Sequence, residues 1–172
     1  MNDITFTPFP NLETENFILR QLIQTDDNEI FLLRSDDSVA RYLDRQKAKT
    51  IDDARAFIKK INDNILNNES IYWGVTRKDT QKIIGTICLF QISKKESKAE
   101  IGFEVIPRDQ GRGIMKEVIP AVLDFGFKTM GLKFIEGDVD PQNIRSIKLM
   151  ERFGFEFYSK HEKTDVYRLC SK

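Results

Sequence analysis

The sequence of 172 residues predicts an α+β fold with a mixed, mostly antiparallel sheet flanked by helices. Three observations lead to this fold class. Apolar residues recur at helical spacing from Ala54 to Ile65. Short β-rich segments joined by polar turns fill the stretch from Ile71 to Val105. A strand, a glycine-rich turn, a long helix and another strand then follow one another up to Val139, which is the order of a parallel crossover.

The N-terminal third predicts one strand and two helices. Leu12 to Leu22 has the pattern of an entry strand. Thr25 is placed to cap a first helix. Thr50 and Asp53 resemble a capping box with aspartate in place of the usual glutamate, so a second helix is expected to begin there and to pack its apolar stripe on the core.

The middle of the chain predicts a three-stranded antiparallel unit. Ile71 to Thr76 and Lys82 to Ile92 form a hairpin around a polar turn, and Ala99 to Val105 is the third strand. A helix is expected from Ile114 to Met130, with Pro120 causing a bend or a missing hydrogen bond near Lys116. The remaining predicted elements are a C-terminal cap at Gly131, a strand Lys133 to Val139, a helix Asn143 to Arg152, and closing strands Phe155 to Tyr158 and Val166 to Leu169.

Composition and charge limit the function classes. Lysine and arginine number 27 and so do aspartate and glutamate, so the formal net charge is zero. This balance argues against a broad surface for nucleic acid or an anionic membrane. The sequence has no apolar run long enough to span a bilayer, and Met1 to Thr5 show no signal peptide. We therefore expect a cytoplasmic protein, and the lack of repeats or linkers predicts one domain over residues 1–172.

The sequence offers little material for a metal site. Cys88 and Cys170 are far apart and fit neither a disulfide framework nor a Cys-x-x-Cys site, so we expect two reduced thiols. His161 is the only histidine and lies in a polar stretch, which predicts a surface position. We therefore expect no metal.

The segment from Arg108 to Gly113 carries the strongest functional signal. It is a glycine-rich turn between a predicted strand and a predicted helix, where unpaired helical N–H groups and close backbone approach favour phosphate binding. Such a turn can also exist only to reverse the chain. The hypothesis of a nucleotide-binding protein is disfavoured because the turn lacks the Gly-Lys-Ser/Thr ending of a P-loop.

Two signatures resemble the GNAT-type N-acetyltransferases. The pattern Arg/Gln-x-x-Gly-x-Gly/Ala of their acetyl-CoA motif is filled by Arg108, Gly111 and Gly113. The segment from Asp140 to Phe155 resembles the second signature, Asn-x-x-Ser followed by Gly-Phe. The run from Leu12 to Arg20 is similar to the entry strand of the RimJ/RimL-like branch, which comprises ribosomal-protein N-terminal acetyltransferases, although Asn16 stands where that branch usually has arginine.

The resemblance implies a single GNAT domain that transfers acetyl from acetyl-CoA to an amine. It also implies that the strand before the turn carries a bulge and splays from its neighbour, so that the pantetheine arm lies in the gap. The residues expected to bind acetyl-CoA are Phe103, Val105, Arg108, Gln110, Gly111, Arg112, Gly113, Ile114 and Asn143. Backbone N–H groups of the turn would hold the pyrophosphate, and one N–H near Phe103 to Val105 would face the acetyl oxygen.

The resemblance also implies catalytic roles. Many family members use a tyrosine to protonate the leaving thiolate, and Met150 stands at that position here. Ser146, on the same predicted helix, matches the serine thought to take that role in the RimJ/RimL-like branch. Glu100 and Glu104 are candidates for the general base, on one strand face if the strand is regular and on opposite faces if a bulge separates them. Glu136, Asp138 and a water relay remain alternatives.

The acceptor is left open by the sequence. A protein N-terminal α-amine and a small amine, such as a polyamine, amino acid or aminoglycoside, are both compatible with it. A non-catalytic acyl-CoA sensor is a second class of function, favoured only by Met150. Candidate residues for the acceptor pocket are Tyr42, Tyr72, Trp73 and Phe90. The chain could be a monomer or a homodimer.

Overall fold

Eight strands form one sheet in the computed structural model, which describes residue 1 and residues 3–172. The strands are β1 (Leu12–Glu13), β2 (Phe17–Arg20), β3 (Ile71–Arg77), β4 (Ile83–Ser93), β5 (Lys98–Val105), β6 (Phe134–Val139), β7 (Glu156–Lys160) and β8 (Asp165–Cys170). Their order in the sheet is β1-β2-β3-β4-β5-β6-β8-β7. Every neighbouring pair is antiparallel except β5 and β6, which are parallel. The predicted α+β class and the parallel crossover after the glycine turn are confirmed.

The helices pack on the two faces of this sheet. They are α1 (Asp27–Ser35), α2 (Asp37–Ala40), α3 (Ile51–Leu66), α4 (Ile114–Asp124) and α5 (Ile144–Arg152). Strand side chains alternate between the faces, so Trp73 and Val75 lie in the core with α4 while Tyr72 contacts Phe57 of α3. Among the described residues, no helix has the length and apolar content needed to cross a membrane.

The capping box at α3 is confirmed. The Thr50 side chain accepts a hydrogen bond from the Asp53 N–H, and the Asp53 carboxylate accepts one from the Thr50 N–H. The predicted cap at Thr25 is wrong, because α1 is preceded by a short 3₁₀ turn and Thr25 is exposed within it. Asp26 orders this turn instead: it accepts from the Ile23 N–H at 2.8 Å and pairs with Arg20 at 2.8 Å.

The predicted entry strand is two strands rather than one. A tight turn separates β1 from β2, and the Thr14 N–H donates to the Phe17 carbonyl at 2.9 Å across it. Glu117 of α4 fixes this hairpin, since its carboxylate accepts from the Asn16 N–H at 2.7 Å and from the Thr14 hydroxyl at 2.6 Å. Asn16, the departure from the branch pattern, therefore has a structural role.

The helix predicted from Ile114 to Met130 ends as an α-helix at Asp124. A wider π turn, Phe125–Thr129, continues it, and the Met130 N–H donates to the Phe125 carbonyl at 3.0 Å. Gly126 packs so closely on the sheet that an added Cβ would lie 2.8 Å from Ile135 Cδ1. Close packing at this glycine therefore accompanies the change in helical pitch, which the apolar periodicity did not predict.

Strands β5 and β6 pair only where they begin. Their register runs from Lys98 opposite Phe134 to Glu100 opposite Glu136, and within the described residues it ends there. Met150 of α5 lies against Gly137 on β6, just beyond the last pair. The strands therefore separate toward the glycine turn, as the family resemblance implies.

The expected bulge is not on β5. The ladder between β4 and β5 runs without a shift from Gly85 opposite Val105 to Phe90 opposite Glu100. The irregularity follows on β4, where Gln91 has a φ of 50° and two residues face one residue of β5. Because β5 is regular between Glu100 and Glu104, these two carboxylates share one face of the sheet.

Gly85→Ala is expected to destabilise the protein by about 1–3 kcal/mol. A Cβ at Gly85 would lie 2.6 Å from the Glu104 carbonyl oxygen, which belongs to the backbone of β5 and cannot rotate away. Urea unfolding measures the change. Gly102→Ala is the matched control, since its Cβ would meet only side chains, the nearest being Cys88 Sγ at 3.2 Å. Equal stability of the two variants would contradict this account.

Candidate active site

The glycine turn connects β5 to α4 through a short 3₁₀ turn, Pro107–Asp109. Gly111 has a φ of 76° and Gly113 a φ of 77°, in the left-handed region that side chains disfavour. Gly113 is the N-cap of α4, and nothing lies within 4 Å of the position of an added Cβ there. The backbone at the start of α4 is therefore open to close approach by a ligand.

A cavity of about 770 Å³, here the turn cavity, lies beside these N–H groups. Its walls come from the end of β5, the glycine turn, α5 and the segment around α2. Of the residues that the sequence predicts to bind acetyl-CoA, those that line it are Phe103, Val105, Gln110, Gly111, Gly113, Ile114 and Asn143. The structure thus brings together residues predicted from two separate signatures.

The two predicted arginines lie outside the lining. Asp109, which is 7% exposed, has Arg108 at 3.4 Å and Arg112 at 3.7 Å, and Arg77 also reaches it. Both predicted arginines are largely exposed. Asp109 itself lines the turn cavity, so the two guanidinium groups lie near the edge of that cavity without lining it.

Four cations that the sequence analysis did not select line the turn cavity instead. They are Lys116 of α4 and Arg145, Lys148 and Arg152 of α5. The spacing of the three residues on α5 places them on one face of the helix, which is the signal that could have found them. The cavity is therefore complementary to an anionic ligand.

The backbone of β5 offers polar groups to the gap beside β6. The Ile106 N–H donates to Ile84 on the β4 side, so Val105 and Phe103 point their backbone groups to the opposite side by alternation. The Val105 carbonyl accepts from Gln110 Nε2 at 3.1 Å, and Arg145 Nη1 donates to Gln110 Oε1 at 3.4 Å. The Gln110 side chain thus connects both walls of the turn cavity.

The start of α5 places Asn143 and Ser146 in the same cavity. Asn143 is the N-cap of α5, and its side-chain oxygen accepts from the Ser146 N–H at 3.2 Å. Ser146 is half-buried, and its hydroxyl has no hydrogen-bond partner within residue 1 and residues 3–172. Met150, at the family's tyrosine position, is 3% exposed and lies in the core against Gly137, so it does not line this cavity.

A second cavity of about 1160 Å³, here the sheet cavity, opens on the face of the sheet covered by α1 and α3. Its floor is formed by side chains from three strands: Tyr72, Thr86, Cys88, Phe90, Glu100 and Glu104. Of the predicted acceptor residues, Tyr72 and Phe90 line it and Tyr42 lines the turn cavity. Trp73 lies on the opposite face, buried, with its indole N–H donating to the Pro10 carbonyl at 2.8 Å.

Glu104 is the only titratable residue in the described chain that lines both cavities. Its carboxylate forms an ion pair with Arg45, and its side chain is 13% exposed. Burial raises the pKa of the Glu104 carboxyl, and the positive charges of Arg45 and Arg34 oppose that rise. Leu43 and Phe103 complete the junction, so a group in one cavity can meet a group in the other beside Glu104.

Glu100 lies farther along the floor of the sheet cavity, about 13 Å from Glu104 at the rise of a regular strand. Burial raises the pKa of its carboxyl, and the like charges of Asp138 and Glu136 raise it further. Glu136 forms ion pairs with Arg168 and with Lys98, the latter at 3.3 Å. Asp138 lies 3.2 Å from the His161 ring nitrogen. Glu100 is therefore remote from the junction of the two cavities.

The sequence pattern of the family described as "Acetyltransferase (GNAT) domain" matches residues 16–156 of this chain. The match spans β2 to the first residue of β7 and includes the glycine turn and α5. The chain belongs to the GNAT acetyltransferase family. The GNAT enzymes are acyltransferases, and the predicted family and enzyme class are therefore confirmed.

Relatives cover most of this GNAT chain. The "Uncharacterized N-acetyltransferase YoaA" of Bacillus subtilis is 36% identical over 148 residues, which are 86% of this chain and 84% of YoaA. The spermidine N(1)-acetyltransferase of Vibrio cholerae is 26% identical over 161 residues, 88% of this chain and 90% of that protein. The structure of RimL, a ribosomal L7/L12 alpha-N-protein acetyltransferase in complex with coenzyme A, superposes with a TM-score of 0.83 at 13% identity, covering 94% of this chain and 98% of RimL.

Proposed function

We propose that this GNAT protein transfers the acetyl group of acetyl-CoA to a primary amine, with Glu104 as the general base. The observation that carries the proposal is the junction of the two cavities at Glu104. The turn cavity takes acetyl-CoA and the sheet cavity takes the acceptor. The amine then meets the acetyl group beside a buried carboxylate that can accept its proton.

The turn cavity suits the anionic end of acetyl-CoA. Backbone N–H groups at Gly111, Gly113 and Ile114 and the cationic side chains of α5 complement a pyrophosphate. Arg108 and Arg112 pair with Asp109, which lines the same cavity, so their exposed side chains are near enough to add donors to the phosphates. Acetyl-CoA supplies the activated acyl group as a thioester.

The chain's own residues supply the rest of the proposed chemistry. A backbone N–H at Phe103 or Val105 faces the gap and is placed to stabilise negative charge on the acetyl oxygen. The Ser146 hydroxyl, which lines the turn cavity without an internal partner in the described residues, donates a proton to the leaving sulfur. Asn143 orders the start of α5 and contacts the pantetheine arm.

Two acceptor classes have support. The fold likeness to RimL favours the α-amine of a protein N terminus, and the large sheet cavity has room for a peptide. The relative named as a spermidine acetyltransferase favours a small amine. The unpaired cysteines Cys88 and Cys170 support a reducing compartment, and we place the protein in the cytoplasm.

Release of CoA by the pure protein, with acetyl-CoA and a panel of peptide N termini and small amines, tests the proposal. Turnover with one class identifies the acceptor type. Tight acetyl-CoA binding without turnover on any member of the panel would favour the sensor function instead. Absence of acetyl-CoA binding would overturn the proposal, because the turn from Arg108 to Gly113 would then only reverse the chain.

Arg145→Gln is expected to weaken acetyl-CoA binding about tenfold, the value of one charge-assisted hydrogen bond. Arg145 lines the turn cavity and lies 3.4 Å from the position of an added Cβ at Gly111. Calorimetric titration with acetyl-CoA measures the effect. Lys128→Gln removes an exposed charge that pairs only with Asp124 among described residues, and it should bind like wild type. Unchanged affinity of the Arg145 variant would remove this residue from the phosphate site.

A further inference from the structure

Arg34, near the end of α1, is a half-buried cation. Its guanidinium lies over the Phe57 ring at 3.7 Å and lines the sheet cavity. Phe57 in turn packs edge-on against Tyr72, with ring centroids 5.7 Å apart. Within residue 1 and residues 3–172, Arg34 forms no ion pair and its side chain no hydrogen bond. The ring holds the plane of the guanidinium and leaves its N–H donors open to the cavity.

Arg45 lies close to Arg34, and only some of its guanidinium N–H donors have hydrogen-bond partners. Its Nη1 pairs with Glu104, and its Nη2 donates to the Leu33 carbonyl at a long 3.4 Å. Its Nε is buried and lacks a partner in the described part of the chain. Burial and the neighbouring charge of Arg45 lower the pKa of Arg34.

The guanidinium groups around Glu104 outnumber its charge. Arg34 and Arg45 both act on this one carboxylate, and only Arg45 forms an ion pair with it. Asp44 also lines this end of the sheet cavity, but it is exposed and forms no ion pair within the described residues. Charges removed from water are normally paired, so the free donors of Arg34 suit an anionic group. We propose that the acceptor is a primary amine that also carries a carboxylate, and that Arg34 binds this carboxylate. This proposal rests on the proposed N-acetyltransferase function.

The position of Arg34 defines how the acceptor would lie. Arg34 is near enough to Glu104 for their charges to interact. A carboxylate bound to Arg34 and an amine beside Glu104 would therefore be neighbouring groups of one small molecule or of one peptide N terminus. A free amino acid has this chemistry, and so does a peptide whose first residues include aspartate or glutamate. A polycation such as spermidine would instead place a like charge against Arg34.

Paired acceptors that differ only by a charge test the inference. We would measure kcat/KM for L-asparagine against L-asparagine amide, L-aspartate 1-amide against L-asparagine amide, and peptides beginning Ser-Asp against peptides beginning Ser-Asn. For its own acceptor class, the wild-type enzyme should have a kcat/KM about tenfold or more higher for the carboxylate form than for the carboxamide form. Arg34→Gln should lower that ratio toward one, mainly through KM. The ratio is the readout because any effect of the lost charge on Glu104 is common to both members of a pair. The free amino acids and the peptides identify which source supplies the carboxylate.

The control variant is Lys59→Gln, which removes one positive charge from the exposed face of α3, where Lys59 pairs with Asp63. It should keep the wild-type ratio. Acetylation of amines with no preference for the carboxylate would overturn the inference and leave the acetyltransferase function intact. Calorimetric titration of each pair in the presence of CoA tests recognition without turnover, and equal or absent binding of the carboxylate and carboxamide forms would also overturn it.

Discussion

Glu104→Gln is expected to lower kcat by about 10² to 10⁴-fold, the usual contribution of a positioned general base. Glutamine keeps the shape of the side chain and can still accept a hydrogen bond from Arg45, so folding and acetyl-CoA binding should be preserved. Steady-state kinetics give the loss, and calorimetry with acetyl-CoA gives the binding control.

The pH dependence gives a second readout of the same residue. The base works only when ionised, so kcat/KM should rise with pH through the pKa of Glu104, which burial places above the value of an ordinary glutamate. Arg45→Gln removes the strongest opposing charge and should move this limb to higher pH. The titration of the acceptor amine remains in both variants.

Glu100→Gln is the comparison that separates the two carboxylates. Glu100 lies on the same strand face but away from the cavity junction, so its removal should change kcat less than threefold. A large loss at Glu100 with little at Glu104 would reverse the assignment. Small losses at both would favour the water relay that the sequence left open.

Ser146→Ala is expected to lower kcat about 100-fold with acetyl-CoA affinity unchanged, because the leaving sulfur then lacks its proton donor. The variant keeps the cap of α5, since Asn143 accepts from the backbone N–H of residue 146 rather than from its hydroxyl. Pre-steady-state measurement of acetyl transfer separates this chemical step from the later dissociation of the products.

Ser146→Thr retains the hydroxyl and should recover much of the activity. Ser159→Ala in β7 is a control for the loss of a hydroxyl at a distant position. If Ser146→Ala is fully active, the proton reaches the sulfur from elsewhere, and Tyr42 is the next residue to examine because its phenol lines the same cavity.

Much of the fold could be predicted because hydrophobic periodicity and turn residues change clearly along the chain. The capping box at Thr50, the central hairpin and the crossover were found in this way. The errors have local causes. A turn that Thr14 closes divides the entry strand, and the π turn accompanies close packing of Gly126 on Ile135, a contact between distant segments.

The candidate site was predictable only where a motif is continuous in sequence. Motifs selected the glycine turn and Ser146, which both line the turn cavity. Arg34 and Arg45 were missed because each reaches the sheet cavity from an element without a motif. Arg145 was missed because it occupies a position that the Asn-x-x-Ser signature leaves open. The bulge was expected on β5 and occurs on β4. The sequence indicates that two strands diverge, but it does not indicate which of them carries the extra residue.

Gln110 satisfies a backbone group of the gap from within the chain. Its side-chain amide makes the hydrogen bond to the Val105 carbonyl, the backbone group that faces the gap between β5 and β6. A pantetheine amide that takes this carbonyl must first displace Gln110, so one hydrogen bond is exchanged for another and little net enthalpy is gained at that point. In the proposed reaction cycle, Gln110 would return to the Val105 carbonyl when CoA leaves. This carbonyl would then keep a hydrogen-bond donor until the next acetyl-CoA binds.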